Sequence, residues 1–291
     1  MPRFQTILSS ACFALLAVLN TARASDVQAL DAPESAHWDA ATRSWYVGSL
    51  GGGMSVARDG VGWIARYSQD GALLDARWVE GLDAPTGITG HGGRLYAVDR
   101  AAVVEIEIAS RRILRTIALP GAVTPNDIAV AEDGTLYVSD MGTNLIYRIA
   151  PDGAAEAWVQ DESLEAPDGL WVDGGRLLVA SWGPTKEPGT LETVRPGRVL
   201  AVDLATRKIT PMFGDGRLGN LDGILRVGDW VYVTDWKAGT LIRVSPAGVA
   251  ETLLSGLPGL ADLGLDPASG TLALPAMLDN RLLLLRMQPA D

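Results

Sequence analysis

Six polar side chains return along the chain inside the same short phrase: Glu34, Thr86, Asn126, Asp168, Asp222 and Asp262. Four are carboxylates, one is an amide and one a hydroxyl. If a fold gathers them in one partly desolvated place, the carboxylates repel and raise one another's pKa. A hard divalent cation relieves that repulsion. An all-oxygen donor set suits Ca²⁺, which accepts about six to eight oxygens in irregular geometry. Zinc or copper would call on His or Cys, and beyond the amino-terminal Cys12 the chain offers only His37 and His91. A plainer reading exists. Asp168-Gly169 and Asp222-Gly223 resemble the turns Asp70-Gly71, Asp133-Gly134 and Asp152-Gly153. Glu34 and Asn126 resist it, since neither precedes glycine and both hold the repeat position. The balance favours a metal-binding ring of Glu34, Asn126, Asp168 and Asp222, with Thr86 and Asp262 as its other members.

The elements that must position these residues are legible from the repeat itself. The phrase reads PESAHWDAATRSWYV from Pro33, APTGITGHGGRLYAV from Ala84 and TPNDIAVAEDGTLYV from Thr124. It returns as APDGLWVDGGRLLVA from Ala166, NLDGILRVGDWVYV from Asn220 and LADLGLDPASGTLAL from Leu260. Each copy has two apolar strand runs joined by a polar turn, and the second run commonly ends in Asp, as at Asp99, Asp140 and Asp235. A third strand and a more variable fourth follow, so each copy predicts a four-stranded antiparallel unit. The polar positions are spaced by 52, 40, 42, 54 and 40 residues. Units of about 40–45 residues are propeller blades. The two long intervals hold the stretch from Gly48 to Gly62 and the Pro- and Gly-rich insert from Gly183 to Gly197. The prediction is an all-β protein, a six-bladed β-propeller over 25–291, whose first strands line the channel and start at the six polar residues.

Residues 1–24 read differently. A basic start at Arg3, an apolar run from Phe4 to Leu19 and the small-x-small site Ala22-Arg23-Ala24 describe a secretory signal peptide cleaved after Ala24. The run is short of the roughly 20 residues of a membrane span. The expected location is periplasmic or secreted. Cleavage removes Cys12, the only cysteine, so burial and strand pairing must hold the fold without disulfides. The formal net charge of −11 becomes about −13 once Arg3 and Arg23 leave, which argues against nucleic acid and anionic membranes as partners. A small molecule is the expected partner, and a monomer the expected state.

The motifs carry a resemblance over essentially the whole of 25–291. PESAHWD, TPNDIAVAEDGTLYVSD, APDGLWV and LDGILRV resemble the regucalcin/gluconolactonase family of six-bladed, calcium-dependent lactonases. The resemblance implies one divalent cation held by Glu34, Asn126 and Asp222. At Asp168 the family usually has Asn; the change keeps an oxygen ligand, adds a negative charge and would weaken the Lewis acidity of the metal. It also implies hydrolysis of lactones or related esters, with the cation polarising the carbonyl and Asp222 taking a proton from the attacking water. Asp262 is a second carboxylate available for that role. A Ser-His-Asp mechanism has no support, since no G-x-S-x-G elbow occurs. The rival reading is a non-catalytic propeller that uses the same ring to hold a ligand. His37 reads as a hydrogen-bonded structural residue or one facing the mouth, and His91 as an exposed turn residue. Trp45, Trp171 and Trp230 read as packing between blades; Trp182 and Trp236 read as packing or as walls of a substrate pocket.

Overall fold

The computed structural model describes residues 29–53, 59–187 and 190–287. The expected signal peptide and its cleavage site lie outside them. The alternation of apolar runs and Gly/Asp turns yields strands almost throughout, in six antiparallel sheets. The first sheet is β1 (Pro33–Asp39), β2 (Ser44–Ser49), β3 (Gly62–Ser68) and β4 (Leu73–Leu82). The second is β5 (Pro85–His91), β6 (Arg94–Asp99), β7 (Ala102–Glu107) and β8 (Arg112–Ala118). The third is β9 (Pro125–Val130), β10 (Leu136–Asp140), β11 (Leu145–Ile149) and β12 (Ala155–Gln160). The fourth is β13 (Pro167–Asp173), β14 (Arg176–Ser181), β15 (Val199–Asp203) and β16 (Ile209–Pro211). The fifth is β17 (Leu221–Val227), β18 (Trp230–Asp235), β19 (Thr240–Val244) and β20 (Ala250–Leu254). The sixth is β21 (Gly264–Asp266), β22 (Thr271–Ala276) and β23 (Arg281–Arg286).

The protein is a six-bladed propeller. One expectation is corrected: the sixth blade has three strands among the described residues, not four. The outermost strand of a blade has one hydrogen-bonded neighbour and the least buried sequence, as the exposed starts of β4, β8 and β20 illustrate, so it is the element the repeat constrains least.

Burial between blades holds the ring together. One apolar cluster joins Tyr46, Ile64 and Trp78 of the first blade to Ile88, Leu95 and Ile106 of the second. Four similar clusters join the second blade to the third and so on to the sixth. The circle closes where Ala36, Trp45 and Tyr67 pack on Ala273 and Leu282. Trp45, Tyr46, Tyr67 and Tyr147 are among the largest fully buried side chains. Burial of such a residue stabilises by about 1.5–3 kcal/mol before entropy is counted. Trp45 has the packing role expected of it; Trp171 and Trp230 pack half-buried at blade interfaces.

Candidate functional site: a carboxylate group on the propeller axis

The repeat phrase has a geometric meaning. In each of the first five blades the pairing of first and second strands slips by one residue at the polar position. Pro33 pairs with Ser49 but Ala36 with Val47; Pro167 pairs with Ser181 but Leu170 with Val179. The same slip brackets Thr86-Gly87, Asn126-Asp127 and Asp222-Gly223. In the sixth blade the bridge Leu260–Ala276 and the pair Gly264–Ala273 bracket Asp262 with a similar offset. A β-bulge re-aims one side chain of a strand. Here all six bulges carry the six polar residues.

The residue after each polar position faces the next blade's first strand. A Cβ on Gly169 would stand 2.1 Å from the Asp222 carbonyl oxygen, and one on Gly87 2.5 Å from the Asp127 Cα. At two of the three positions without glycine, the side chain bonds across instead; the third is the apolar Leu263. The Ser35 hydroxyl donates to the Thr86 carbonyl, and Asp127 Oδ2 accepts the Leu170 amide at 2.6 Å. Thr86 itself donates to the Asn126 carbonyl at 2.6 Å, and the Asp262 amide donates to the Glu34 carbonyl at 2.9 Å. The Asp that ends the second strand fixes the approach to the site. Asp99 accepts the amides of Asp83 and Ala84, and Asp140 those of Val123 and Thr124.

Glu34, Asp168, Asp222 and Asp262 are all buried, Asp168 to 1% exposure, while Thr86 and Asn126 are half-buried. Burial pushes the Glu34 carboxyl well above its ordinary range, and the charges of Asp222 and Asp127 push it further. Asp168 is raised first by burial, then by Asp222, Glu34, Asp127 and Asp262. Asp222 is raised by burial and by Asp127, and Asp262 by burial, Asp127, Glu34 and Asp222. These side chains, remote in sequence, therefore feel one another on the axis. Asp127 is a fifth member that the repeat alone did not single out. Burial raises its pKa to about 6 against the pull of two amide bonds. The available signal was its column: it stands where three other copies have glycine.

Glu34 Oε2 and both carboxylate oxygens of Asp168 are buried without any hydrogen-bond partner. Unsatisfied buried carboxylate oxygens are costly unless a cation or donor meets them. The donor set, all oxygen, fits a hard divalent cation. Among the described residues, however, no three His, Cys, Asp or Glu side chains stand close enough together to ligate one ion directly. The group is thus a convergence of buried charge rather than a closed coordination sphere. Asn126 has a sulfur contact at 3.5 Å, from its amide nitrogen to Met141 Sδ.

The remaining candidates fall elsewhere. His37 lies beyond Glu34 along β1, lines a cavity that Asp127 and Asp262 also line, and has no hydrogen bond to its ring among the described residues. It is not the hydrogen-bonded histidine that was one of the two expectations for it; it shares its cavity with two carboxylates of the axial group. Burial lowers its pKa to about 4. His91 is exposed at the end of β5, before the Gly92-Gly93 turn. Trp182 is buried, its ring 5.9 Å from that of Trp236 and its Nε1 donating to the Leu191 carbonyl. It packs down the insert that follows it.

A six-bladed propeller with buried acidic side chains on its axis is the class that fold and site define. Residues 112–142 match the model of the family described as "Strictosidine synthase-like, N-terminal". Comparison with curated protein sequences finds no match. Among solved structures, a gluconolactonase from Xanthomonas campestris is similar over 92% of this chain and 90% of its own, with 19% identity and a TM-score of 0.65. A catalytically inactive virginiamycin B lyase from Staphylococcus aureus, with quinupristin, is similar over 92% of this chain and 99% of its own, with 15% identity and a TM-score of 0.60. A chain of a nidogen/laminin complex is similar over 80% of this chain and 84% of its own, with 19% identity and a TM-score of 0.61. At these identities the likeness is one of fold. The gluconolactonase structures among the matches share the six-bladed fold that the sequence motifs imply.

Proposed function

We propose that the protein is a divalent-metal-dependent hydrolase of lactones or related esters, with Ca²⁺ the best-suited ion. The observation that carries this reading is the set of buried, unpartnered oxygens of Glu34 and Asp168 within a group of mutually repelling carboxylates. Glu34, Asn126, Asp168 and Asp222 would hold the ion, closing on it from their bulges. When bound, it would supply polarisation of the lactone carbonyl. Thr86 and Asn126, the half-buried members, mark the side from which a substrate reaches the group. Asp222 would accept the proton of the attacking water on a carboxylate oxygen. The water oxygen bonds to the carbonyl carbon, the ring C–O bond breaks, and the ring oxygen leaves as a hydroxyl carrying that proton. The product is a hydroxy acid. Burial around the group keeps bulk water from the charges.

The test is hydrolysis of a panel of sugar and aliphatic lactones by the purified protein, with chelator and with added Ca²⁺. Turnover that chelation abolishes and Ca²⁺ restores is the expected result. A protein that binds Ca²⁺ and a lactone analogue yet opens no lactone would instead be a binding propeller.

A further inference from the structure

The entry to the fourth blade carries a concentration of charge opposite in sign to the axial group. Glu165 is buried, and both it and Ala166 hold left-handed backbone, with φ of 57° and 56°. Its carboxylate accepts from three arginines. Arg217 grips it as a fork, with Nη1 on Oε2 at 2.8 Å and Nη2 on Oε1 at 3.0 Å. The same Oε1 takes Arg198 Nη2 at 2.9 Å and Arg195 Nη2 at 3.1 Å. The three Nη2 atoms therefore stand within about 6 Å of one another, twice a hydrogen-bond length.

The backbone holds these residues in place. Arg195 and Arg198 come from the end of the connection between β14 and β15, which is pressed onto its own blade. A Cβ on Gly183 would stand 2.5 Å from the Arg195 carbonyl oxygen, and one on Gly197 1.8 Å from that of Ser181. Arg217 precedes β17. Its segment is tied to the same connection by the Gly197 amide, which donates to the Gly219 carbonyl, and the Leu218 amide, which donates to the Gly197 carbonyl.

The charges do not balance. One forked arginine already satisfies a carboxylate. Arg195 and Arg198 each add a positive charge, so three guanidinium groups face one carboxylate and two charges are in excess. Neither Arg195 nor Arg198 has another ion pair among the described residues, and Arg198 Nε is buried without a partner. Asp215 acts on Arg217 from an exposed position without pairing with it, and Lys186 and Glu192 nearby in sequence satisfy each other. The Arg195 side chain is 53% exposed, which opens the cluster to solvent. A formal net charge of −11 gives the chain no general attraction for anions, so the excess is local.

We propose that Arg195, Arg198 and Arg217 bind a phosphate dianion, free or as a monoester. Its two charges match the excess, and its oxygens meet the guanidinium edges that Glu165 leaves free; arginine suits such forked contacts. Glu165 holds the three arginines together against their mutual repulsion. The site uses no residue of the axial group and stands or falls without the lactonase reading.

Calorimetric titration of the full, metal-free protein at pH 8 and low ionic strength tests it, with inorganic phosphate and phenyl phosphate as probes and acetate as the monoanion. One phosphate per chain, bound at least tenfold more tightly than acetate and weakened by added NaCl, is the expected result. Tighter phenyl phosphate assigns the site to a monoester, tighter inorganic phosphate to the free ion. Arg195→Gln, which leaves the Arg217 fork on Glu165, should weaken the preferred probe at least tenfold. Arg217→Lys, which keeps the charge and loses the fork, should weaken it as well, and Lys186→Gln should leave it unchanged. Cooperative thermal unfolding of each variant checks that it is folded. No phosphate binding, equal binding of acetate, or binding that the folded Arg195 and Arg217 variants retain in full would overturn the proposal.

Discussion

Asp222 and Glu34 sit in the same kind of bulge and are both buried, yet the proposed chemistry asks different things of them. Glu34 holds the ion; Asp222 also accepts a proton. Asp222→Asn keeps an oxygen ligand and nearly the same shape but removes the base. Lactone hydrolysis should therefore fall by about 10²–10⁴-fold, the usual worth of general acid–base catalysis. Ca²⁺ affinity should fall less in Asp222→Asn than in Glu34→Ala, as measured by calorimetry. Full activity in Asp222→Asn would move the base elsewhere, with Asp262 the first place to look. At this scale the sequence was informative where a residue type is forced by repetition. Glu34, Asp168, Asp222 and Asp262 stood out because polar residues recur among apolar ones. Asp127 did not, because the role of its column is contact with the next blade, which glycine, serine, aspartate and leucine each fulfil in a different way.

The element that sets the site is the bulged start of each first strand. Its small residue allows the neighbouring strand to approach closely, so the spacing of the polar residues depends on it. Gly169→Ala would bring a Cβ to 2.1 Å from the backbone oxygen of Asp222, which no side-chain motion can relieve. Overpacking of this kind costs about 1–3 kcal/mol. The variant should unfold at lower denaturant concentration and bind Ca²⁺ more weakly, since the fifth blade's first strand must move. Unchanged stability would mean that the two strands are not held that closely. Strand order was readable from apolar runs and turns, which are local. The bulges themselves were not, because register is a property of two strands together. Neither was the cavity beside His37, most of whose lining residues look in sequence like ordinary interior strand positions.

The whole molecule gathers five carboxylates on its axis without a cysteine in its described residues to staple the ring. Six inter-blade clusters must offset the cost of that charge. The sign of the pH dependence follows. A carboxyl whose pKa is raised on folding contributes stability below its unfolded pKa, and that contribution is lost as pH rises through the folded value. Glu34, Asp168, Asp222 and Asp262 are raised well above their ordinary values, and Asp127 to about 6. Chelated protein should thus lose stability between pH 5 and pH 7.5. His37 works in the other direction, since its pKa is lowered to about 4 and its contribution is complete only above its unfolded value near 6.5. One imidazole is outnumbered by five carboxyls. A bound divalent cation offsets part of that charge and stabilises the fold by binding linkage.

The most direct measurement is the melting temperature of the chelated protein at pH 5 and pH 7.5, repeated at pH 7.5 with saturating Ca²⁺. The account predicts a lower value at pH 7.5 than at pH 5 without metal, and a rise at pH 7.5 on adding Ca²⁺ that Glu34→Ala diminishes. A melting temperature at pH 7.5 that saturating Ca²⁺ leaves unmoved would contradict it.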